Sequence, residues 1–423
     1  MRKIKIIELF SGIGAQVAAL KRLGLPYEVV GISEIDKYAI KSYEAINNPT
    51  FNYGDITKIN ALDYADLWTY SFPCQDLSNA GKQAGIKEGT RSGLLLHVER
   101  LLTDSVIRGN QPKYLLLENV KALVSKKFKP DFERWLDKLE QLGYNNYWQV
   151  LNAKDYGIPQ NRERVFVVSI RKDVDTKSYK FPEKIPLQLK LKDLLESNVS
   201  EKYYLSQDKV DKLLNSLFHQ ERDRLKNDEI CNCLCSRDYK GLQLIKEVSN
   251  TIRVGGRGSL DNNHSWDLIA VAASRGRNPD NPSDRTAGVP TEQRLEINQS
   301  GCSNTLTTVQ KNNMVIQVGN TPMIGGIGNH PFNKKFEFND FHNDVSPCLL
   351  STDYKNPKCY LHEMKIRKLT PLECWRLMGF TDEEFILAQL AGVSNSQLYK
   401  QAGNSIVIDV LVGIFKELFN DRS

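Results

Sequence analysis

The feature that most constrains this chain is an alternation that runs through its first 170 residues. Short apolar runs ("KIKIIELF", "YEVVGISEID", "LWTYSF", "KYLLLENV") are separated by segments of helical spacing ("GAQVAALKRLG", "RSGLLLHVERLL", "FERWLDKLEQLGY"). Apolar runs alternating with helices predict a parallel α/β sheet, because parallel neighbours need a crossover of a dozen or more residues. Two further runs, "NYWQVLNA" and "RVFVVSI", close the series across a short link, which predicts an antiparallel end. The expected organisation has an α/β domain over 1–171 and a region of different texture over 172–365. A helical connection over 366–395 and a C-terminal helix over 396–423 return to well-patterned sequence. In 172–365 the periodicity weakens, and Asn, Asp, Ser, Gly and Arg become frequent. "SRGRNPDNPSDRTAG" reads there as a polar loop. The phrases "VSNTIRVGG", "CSNTLTTVQ" and "VSPCLLSTD" read as a weak repeat of strand-forming units. In the connection, Thr370, Pro371 and Glu373 form a helix start, with an N-cap, a proline at N1 and a carboxylate at N3. Asn404 or Ser405 is placed to cap the last helix.

Composition excludes several classes. No segment reaches the roughly 18 consecutive apolar residues of a membrane span. "MRKIKIIELFSG" reads as a first strand and not as a signal peptide, so a cytoplasmic, nucleoid-associated protein with no membrane partner is expected. Eight cysteines in 423 residues are too few for a disulfide scaffold. Cys231, Cys233 and Cys235 lack a fourth ligand at a recognised spacing, so no metal is expected. The net charge of +6 permits nucleic-acid binding without requiring it.

Four stretches carry chemistry. In "ELFSGIGA" a strand runs into a glycine turn that opens a helix, and Glu34 follows at the end of the next strand. Glycines there let the backbone approach a ligand at a helix N-terminus, and the acid can accept from ribose hydroxyls. Cys74 in "SFPCQDLS" follows Pro73 at the carboxyl end of a strand, where open α/β sheets bind ligands. A structural thiol and a nucleophile are both compatible with that place. The following 19 residues, "QDLSNAGKQAGIKEGTRSG", hold four glycines and read as a functional loop. Glu118 in "YLLLENV" sits at another strand end, as a capping or salt-bridged carboxylate or as a general acid. Arg162 and Arg164 alternate before a strand, either guarding its edge or recognising an anion or carbonyl.

Taken in order, "FSGIG", "SEID", "GDI", "SFPCQDLS", "ENV", "QNRER", "RKLTPLECWRLMGF" and "QAGNS" resemble the cytosine-C5 DNA methyltransferases of bacterial or phage restriction-modification type. The resemblance covers most of residues 1–170 and 365–410. It implies a Rossmann-like, S-adenosylmethionine-dependent catalytic domain and a β-rich target-recognition domain. It implies methyl transfer to C5 of a cytosine flipped out of duplex DNA, with S-adenosylhomocysteine as product and no metal. Cys74 matches the nucleophile that adds to C6. Glu118 matches the acid at ring N3, Arg164 the arginine on the base carbonyl, and Arg162 its companion. For the cofactor, the matching positions are Phe10, Gly12, Gly14, Glu34, Ile35, Asp55, Ile56, Pro73, Leu94, Asn404 and Ser405. Relatives often carry tryptophan where Ile35 stands, so stacking on the adenine is expected to be weaker. Gln75, Ser78 and Lys82, on a lid-like loop, would reach the DNA. Thr305 and Leu306 match a Thr-Leu pair of the recognition region, with Thr251-Ile252 a rival for that place. The resemblance further implies a monomer that works either with a restriction endonuclease acting on the same site or as a solitary methylase. A tRNA-methylating branch shares the motifs but has a smaller recognition region. The (D/N/S)-P-P-(Y/F/W) tetrapeptide of amino-methyltransferases is absent.

Overall fold

The computed structural model of the chain describes residues 2–73, 92–206, 269–277, 292–298, 303–304, 314–326 and 358–419. These fall into two compact units. One draws on residues within Met1–Leu194 and Pro371–Ser423, the other on residues within Leu195–Asn304 and Gln310–Thr370.

The first unit is built on a sheet of strands β1 (Ile4–Leu9), β2 (Tyr27–Ser33), β3 (Leu67–Tyr70), β4 (Tyr114–Val120), β5 (Tyr144–Asn152) and β7 (Glu163–Arg171); a two-residue strand β6 (Gln160–Asn161) precedes β7. Strand order is β2-β1-β3-β4-β7-β5. β1 pairs parallel with β2 and β3, and β3 with β4. β7 runs antiparallel between β4 and β5. The mostly parallel sheet with an antiparallel end is the one the apolar runs predict. Helices α1 (Ala15–Arg22), α2 (Lys37–Asn47), α3 (Leu95–Ile107) and α4 (Lys129–Gln141) supply the connections. In α4, Phe132, Trp135 and Leu139 are buried, a spacing of three and four that lays one apolar stripe on the sheet. That stripe joins Leu101, Leu102, Trp68, Tyr70, Leu115, Leu117 and Val167 in one core.

Four helices follow late in the chain: α5 (Pro371–Arg376), α6 (Asp382–Leu390), α7 (Asn395–Asn404) and α8 (Ile408–Phe419). Thr381 and Glu384 form a reciprocal capping box at the start of α6. α8 buries Val410, Leu411, Ile414, Phe415 and Leu418 and packs on α1. Arg22 on α1 reaches Asp409 at 3.1 Å, and Phe419 meets Tyr114 of β4 edge to face.

The final helix starts later than its sequence pattern implies. Asn404 is the last residue of α7, and Ser405 is that helix's C-cap with extended backbone (φ −77°, ψ 167°). Neither residue caps α8. The break follows from tertiary demand, since the carbonyls of Gly403 and Ser405 both accept from Arg162. A continuous helix would commit those carbonyls to its own ladder.

In the second unit, β8 (Ile269–Arg277), β9 (Glu292–Asn298), β11 (Met314–Gly326) and β12 (Lys358–Lys368) form an antiparallel sheet of order β12-β11-β8-β9. A two-residue strand, β10 (Ser303–Asn304), lies between β9 and β11 in sequence. The polar run "SRGRNPDNPSDRTAG" is not a loop from its start. Its first four residues, Ser274–Arg277, belong to β8 and pair with Glu292–Leu295 of β9. Backbone pairing there overrides side-chain polarity. Cys231, Cys233, Cys235, Thr251-Ile252 and, apart from Ser303-Asn304, the three similar phrases lie outside the described residues. Among the described residues no helix is long and apolar enough to cross a membrane, and no cluster of His, Cys, Asp and Glu could hold a metal ion.

Candidate active site

The strand order places a topological switch point between β1 and β3. Their connections leave in opposite directions, which opens a crevice at the carboxyl ends of the strands. The carboxyl ends of β1, β2, β3 and β4 lie along this edge, and so does the amino end of the antiparallel β7.

At the end of β1 the chain turns sharply. Phe10 has φ 59°, Gly12 φ 57° and Gly14 φ 84°. Two of these turns demand glycine for different reasons. A Cβ on Gly14 would lie 2.6 Å from Asn47 Nδ2 and 2.9 Å from Tyr43 Cε2, whereas one on Gly12 would meet nothing within 4 Å. Gly14 lets α1 pack on α2, and Gly12 faces open space. Glu34, at the end of β2, fastens the turn. Its Oε2 accepts from Gly12 N at 3.0 Å, and its Oε1 accepts from Ile35 N and Asp36 N at 2.8 Å each. Beside it, Ile35 is 73% exposed, although large and apolar.

Asn52 joins this strand end to the next loop. Its Oδ1 accepts from Glu34 N at 3.2 Å and Gly54 N at 2.9 Å, and its Nδ2 donates to the Glu34 carbonyl at 3.0 Å. Asp55 follows and accepts from the Thr57 backbone N and hydroxyl. Those two hydrogen bonds hold its carboxyl below the ordinary carboxylate range. The Ile56 side chain is buried in the core. Glu34 thus ties the Gly12 turn to Ile35 and Asp36, and Asn52 ties Glu34 to Gly54, the residue before Asp55.

The residues fit a nucleoside bearing a charged amino-acid tail. Ser11 Oγ is buried without a hydrogen-bond partner among the described residues, beside the open face of Gly12. A helix N-terminus, a carboxylate and an exposed apolar side chain complete a set suited to a carboxylate, a ribose and an adenine.

The second cluster surrounds Glu118. Glu118 pairs with Phe166 across β4 and β7, and Val120 with Arg164. Alternation puts Glu118 and Val120 on one face, so Arg164 is a diagonal neighbour of Glu118. Arg164 Nε lies 3.1 Å from Glu118 Oε1. Burial raises the Glu118 carboxyl above its ordinary value; the charges of Arg164 and Arg162 and a hydrogen bond from Ser71 offset part of that rise. A buried acid held beside a guanidinium can keep or release a proton at a fixed place.

The cluster also reaches the strand end that leads to Cys74. Asn119, 2% exposed, donates from Nδ2 to the Phe72 carbonyl at 3.1 Å. That bond staples β4 to the segment ending at Pro73. Arg162, 4% exposed, turns toward the C-terminal segment, where Nη2 donates to Gly403 O at 3.2 Å and Ser405 O at 2.7 Å. Asn404 is exposed at the end of α7, Ser405 is buried, and Leu94 packs partly buried against the core at the start of α3. Cys74, Gln75, Ser78, Lys82, Thr305 and Leu306 lie outside the described residues.

Sequence reasoning missed Ser71, Asn119, Asn52 and the α7 residues Lys400 and Gln401. Asn119 had a usable signal, as a second polar residue beside Glu118 at a strand end. Ser71 and Gln401 stand in the motifs "SFPCQDLS" and "QAGNS" without an assigned role, and Asn52 and Lys400 carry no local pattern.

The family model for C-5 cytosine-specific DNA methylases matches residues 4–420, and the chain belongs to this family. An orphan methyltransferase, M.SPRI, of Bacillus phage SPR is 34% identical over 99% of this chain and 98% of its own length. The type II methyltransferase M2.ScrFI of Lactococcus lactis subsp. cremoris is 31% identical over 99% of this chain and all of its own. In fold, the chain resembles the Entamoeba histolytica methyltransferase EhMeth (TM-score 0.57, 18% identity, 100% of both chains). It also resembles the S. pombe Dnmt2 methyltransferase (TM-score 0.53, 18% identity, 99% of both chains). The chain is thus a DNA (cytosine-5-)-methyltransferase with a Rossmann-like fold.

Proposed function

We propose that this enzyme transfers a methyl group from S-adenosylmethionine to C5 of a cytosine flipped out of a specific short double-stranded DNA sequence, through a covalent adduct between Cys74 and C6. The observation that carries the reading is the buried Glu118–Arg164 pair at 3.1 Å, stapled through Asn119 to the strand end that leads into Cys74.

Cytosine C5 is a poor nucleophile. Addition of the Cys74 thiolate to C6 places an electron pair on the ring, and a proton from Glu118 to N3 neutralises it. The resulting enamine attacks through C5. Loss of the C5 proton to a base then expels the thiolate, N3 returns its proton to Glu118, and the aromatic ring is restored. Burial favours the protonated Glu118 that the addition step requires, and Arg164 orients it while donating to the base carbonyl. S-adenosylmethionine supplies the electrophilic methyl group when bound. Phe10, Gly12 and Gly14 would cradle it, Glu34 would accept from its ribose, and Asp55 from its adenine amine. Ile35, Ile56, Pro73, Leu94, Asn404 and Ser405 would complete the pocket.

The target base lies inside a duplex, so the reaction needs it extruded. Gln75, Ser78 and Lys82 are assigned to the strand gap and its phosphates, and Thr305 and Leu306 to the recognition region. The chain acts as a cytoplasmic monomer, either alongside a restriction endonuclease that cuts the same sequence when unmethylated or as a solitary methylase.

Bisulfite sequencing of DNA from a host expressing the protein tests the reading. One protected cytosine motif is expected, and the absence of any protected motif would sink it. Cys74→Ser should abolish methylation, and persistence at the wild-type rate would exclude the covalent route. Glu34→Ala should weaken S-adenosylmethionine binding, and unchanged affinity would move the ribose contact elsewhere.

A further inference from the structure

The Gly403–Ser405 segment is held from two sides. On one side it continues from α7, which is docked on the start of α2. Lys400 Nζ meets Asp36 Oδ2 at 2.6 Å, and Gln401 Nε2 donates to Tyr38 O at 2.9 Å. The buried Ser42 hydroxyl donates to Gln401 Oε1 at 3.1 Å. Asp36 is the N-cap of α2 and follows directly on Glu34 and Ile35, so these contacts tie the segment to the carboxyl end of β2.

On the other side stands Arg162. Its backbone is fixed independently of its side chain. Arg162 N donates to Asn152 Oδ1 at 3.0 Å, and Arg162 O accepts from Ala153 N at 3.1 Å. The side chain therefore starts from a rigid base. It delivers a charged donor to two carbonyls one helix end away, at 3.2 and 2.7 Å. Both bonds leave the single Nη2, which the rigid, planar guanidinium holds at a fixed reach that an ammonium on a flexible stem does not reproduce. Two residues along the same strand entry, Arg164 holds Glu118.

We infer that Arg162 is a positioning residue that clamps the Gly403–Ser405 turn and so couples the methyl-donor pocket to the Glu118–Arg164 pair. Arg162 acts through the backbone of a segment whose Asn404 and Ser405 border the donor, so the inference rests on the cofactor reading above.

The test uses the full-length protein, with S-adenosylhomocysteine as probe in calorimetry without DNA. Arg162→Met, Arg162→Lys and Arg164→Lys are compared with wild type, each checked by thermal melting. Both Arg162 variants should bind the probe about tenfold more weakly, reflecting loss of a charge-assisted clamp. Arg164→Lys should bind it as wild type does while slowing single-turnover methylation at saturating donor. Arg162→Lys is the discriminating variant, because it keeps the positive charge near Glu118 and loses the planar guanidinium that places Nη2. It also keeps the assay informative if Arg162→Met fails to fold. Wild-type affinity in Arg162→Lys, with or without a lower rate, would overturn the clamp and leave the cofactor reading intact. A wild-type chain that bound no S-adenosylhomocysteine would overturn the cofactor reading and the clamp with it.

Discussion

Glu8 shows how much a single buried group governs in this sheet. It lies on β1 with no solvent exposure, its Oε2 accepting from Tyr43 at 2.5 Å and its Oε1 without a partner among the described residues. Burial pushes its carboxyl from 4.5 up to about 7. The folded state then holds a proton that the unfolded chain releases as pH rises from 4.5, so stability falls through the window up to about pH 7. Glu8→Gln removes the titration. Relative to wild type it should gain up to about 3 kcal/mol at pH 8 and little near pH 4.5, read by urea denaturation across pH. A gain independent of pH would mean that Glu8 folds ionised. The two turn glycines give a second contrast. Gly14→Ala should cost about 2–4 kcal/mol, combining left-handed strain with a collision against Tyr43 and Asn47. Gly12→Ala has only the backbone strain, about 1–2 kcal/mol. Equal losses in chemical denaturation would contradict the packing assigned to Gly14.

At the scale of elements, the site depends on strand ends being tied together. β3 is four residues long and stops at Tyr70, so nothing in the ladder itself fixes Phe72 and Pro73. Asn119 supplies the missing tie. Asn119→Ala removes the donor to the buried Phe72 carbonyl and should cost about 1–3 kcal/mol. It should also slow single-turnover methylation by ~10-fold or more, because small displacements of a reacting group are expensive in rate. Full activity in a destabilised Asn119→Ala would show that Cys74 is placed by other contacts. The docking of α7 on α2 rests on a small buried polar set. Gln401→Ala strands the buried Ser42 hydroxyl and removes the donor to the Tyr38 carbonyl, and should likewise cost about 1–3 kcal/mol on unfolding.

For the whole molecule, the modest charge of +6 implies that electrostatics help association without saturating it. DNA affinity should fall linearly in log–log terms with salt, with a slope near −0.9 for each phosphate neutralised. Fluorescence anisotropy on a duplex carrying the bisulfite-identified site measures that slope. A slope near zero would rule out phosphate contacts as the main source of binding. We assign catalysis to the unit holding the six-stranded sheet and reading of the target to the unit holding the antiparallel sheet of β8, β9, β11 and β12.

The sequence by itself determined the elements whose signals are local. Apolar runs and helical spacing set the strands and crossovers of the first unit. Glycine turn chemistry set the bend after β1, and the ordered motifs put Glu118, Arg162, Arg164 and Glu34 at strand ends. These follow from period, turn residues and neighbours a few positions apart. Only the tertiary structure decided where the side chains go once there. Arg162 reaches carbonyls 241 and 243 positions away, Gln401 meets Ser42 359 positions away, and the predicted last helix breaks at Ser405 where Arg162 draws its carbonyls. The polar start of the supposed loop at Ser274 becomes strand because β9 pairs with it. Such contacts are set by which surfaces the packed sheet brings together. Local pattern carries no record of a partner hundreds of residues away, so the contacts that hold these strand ends together were not legible in it.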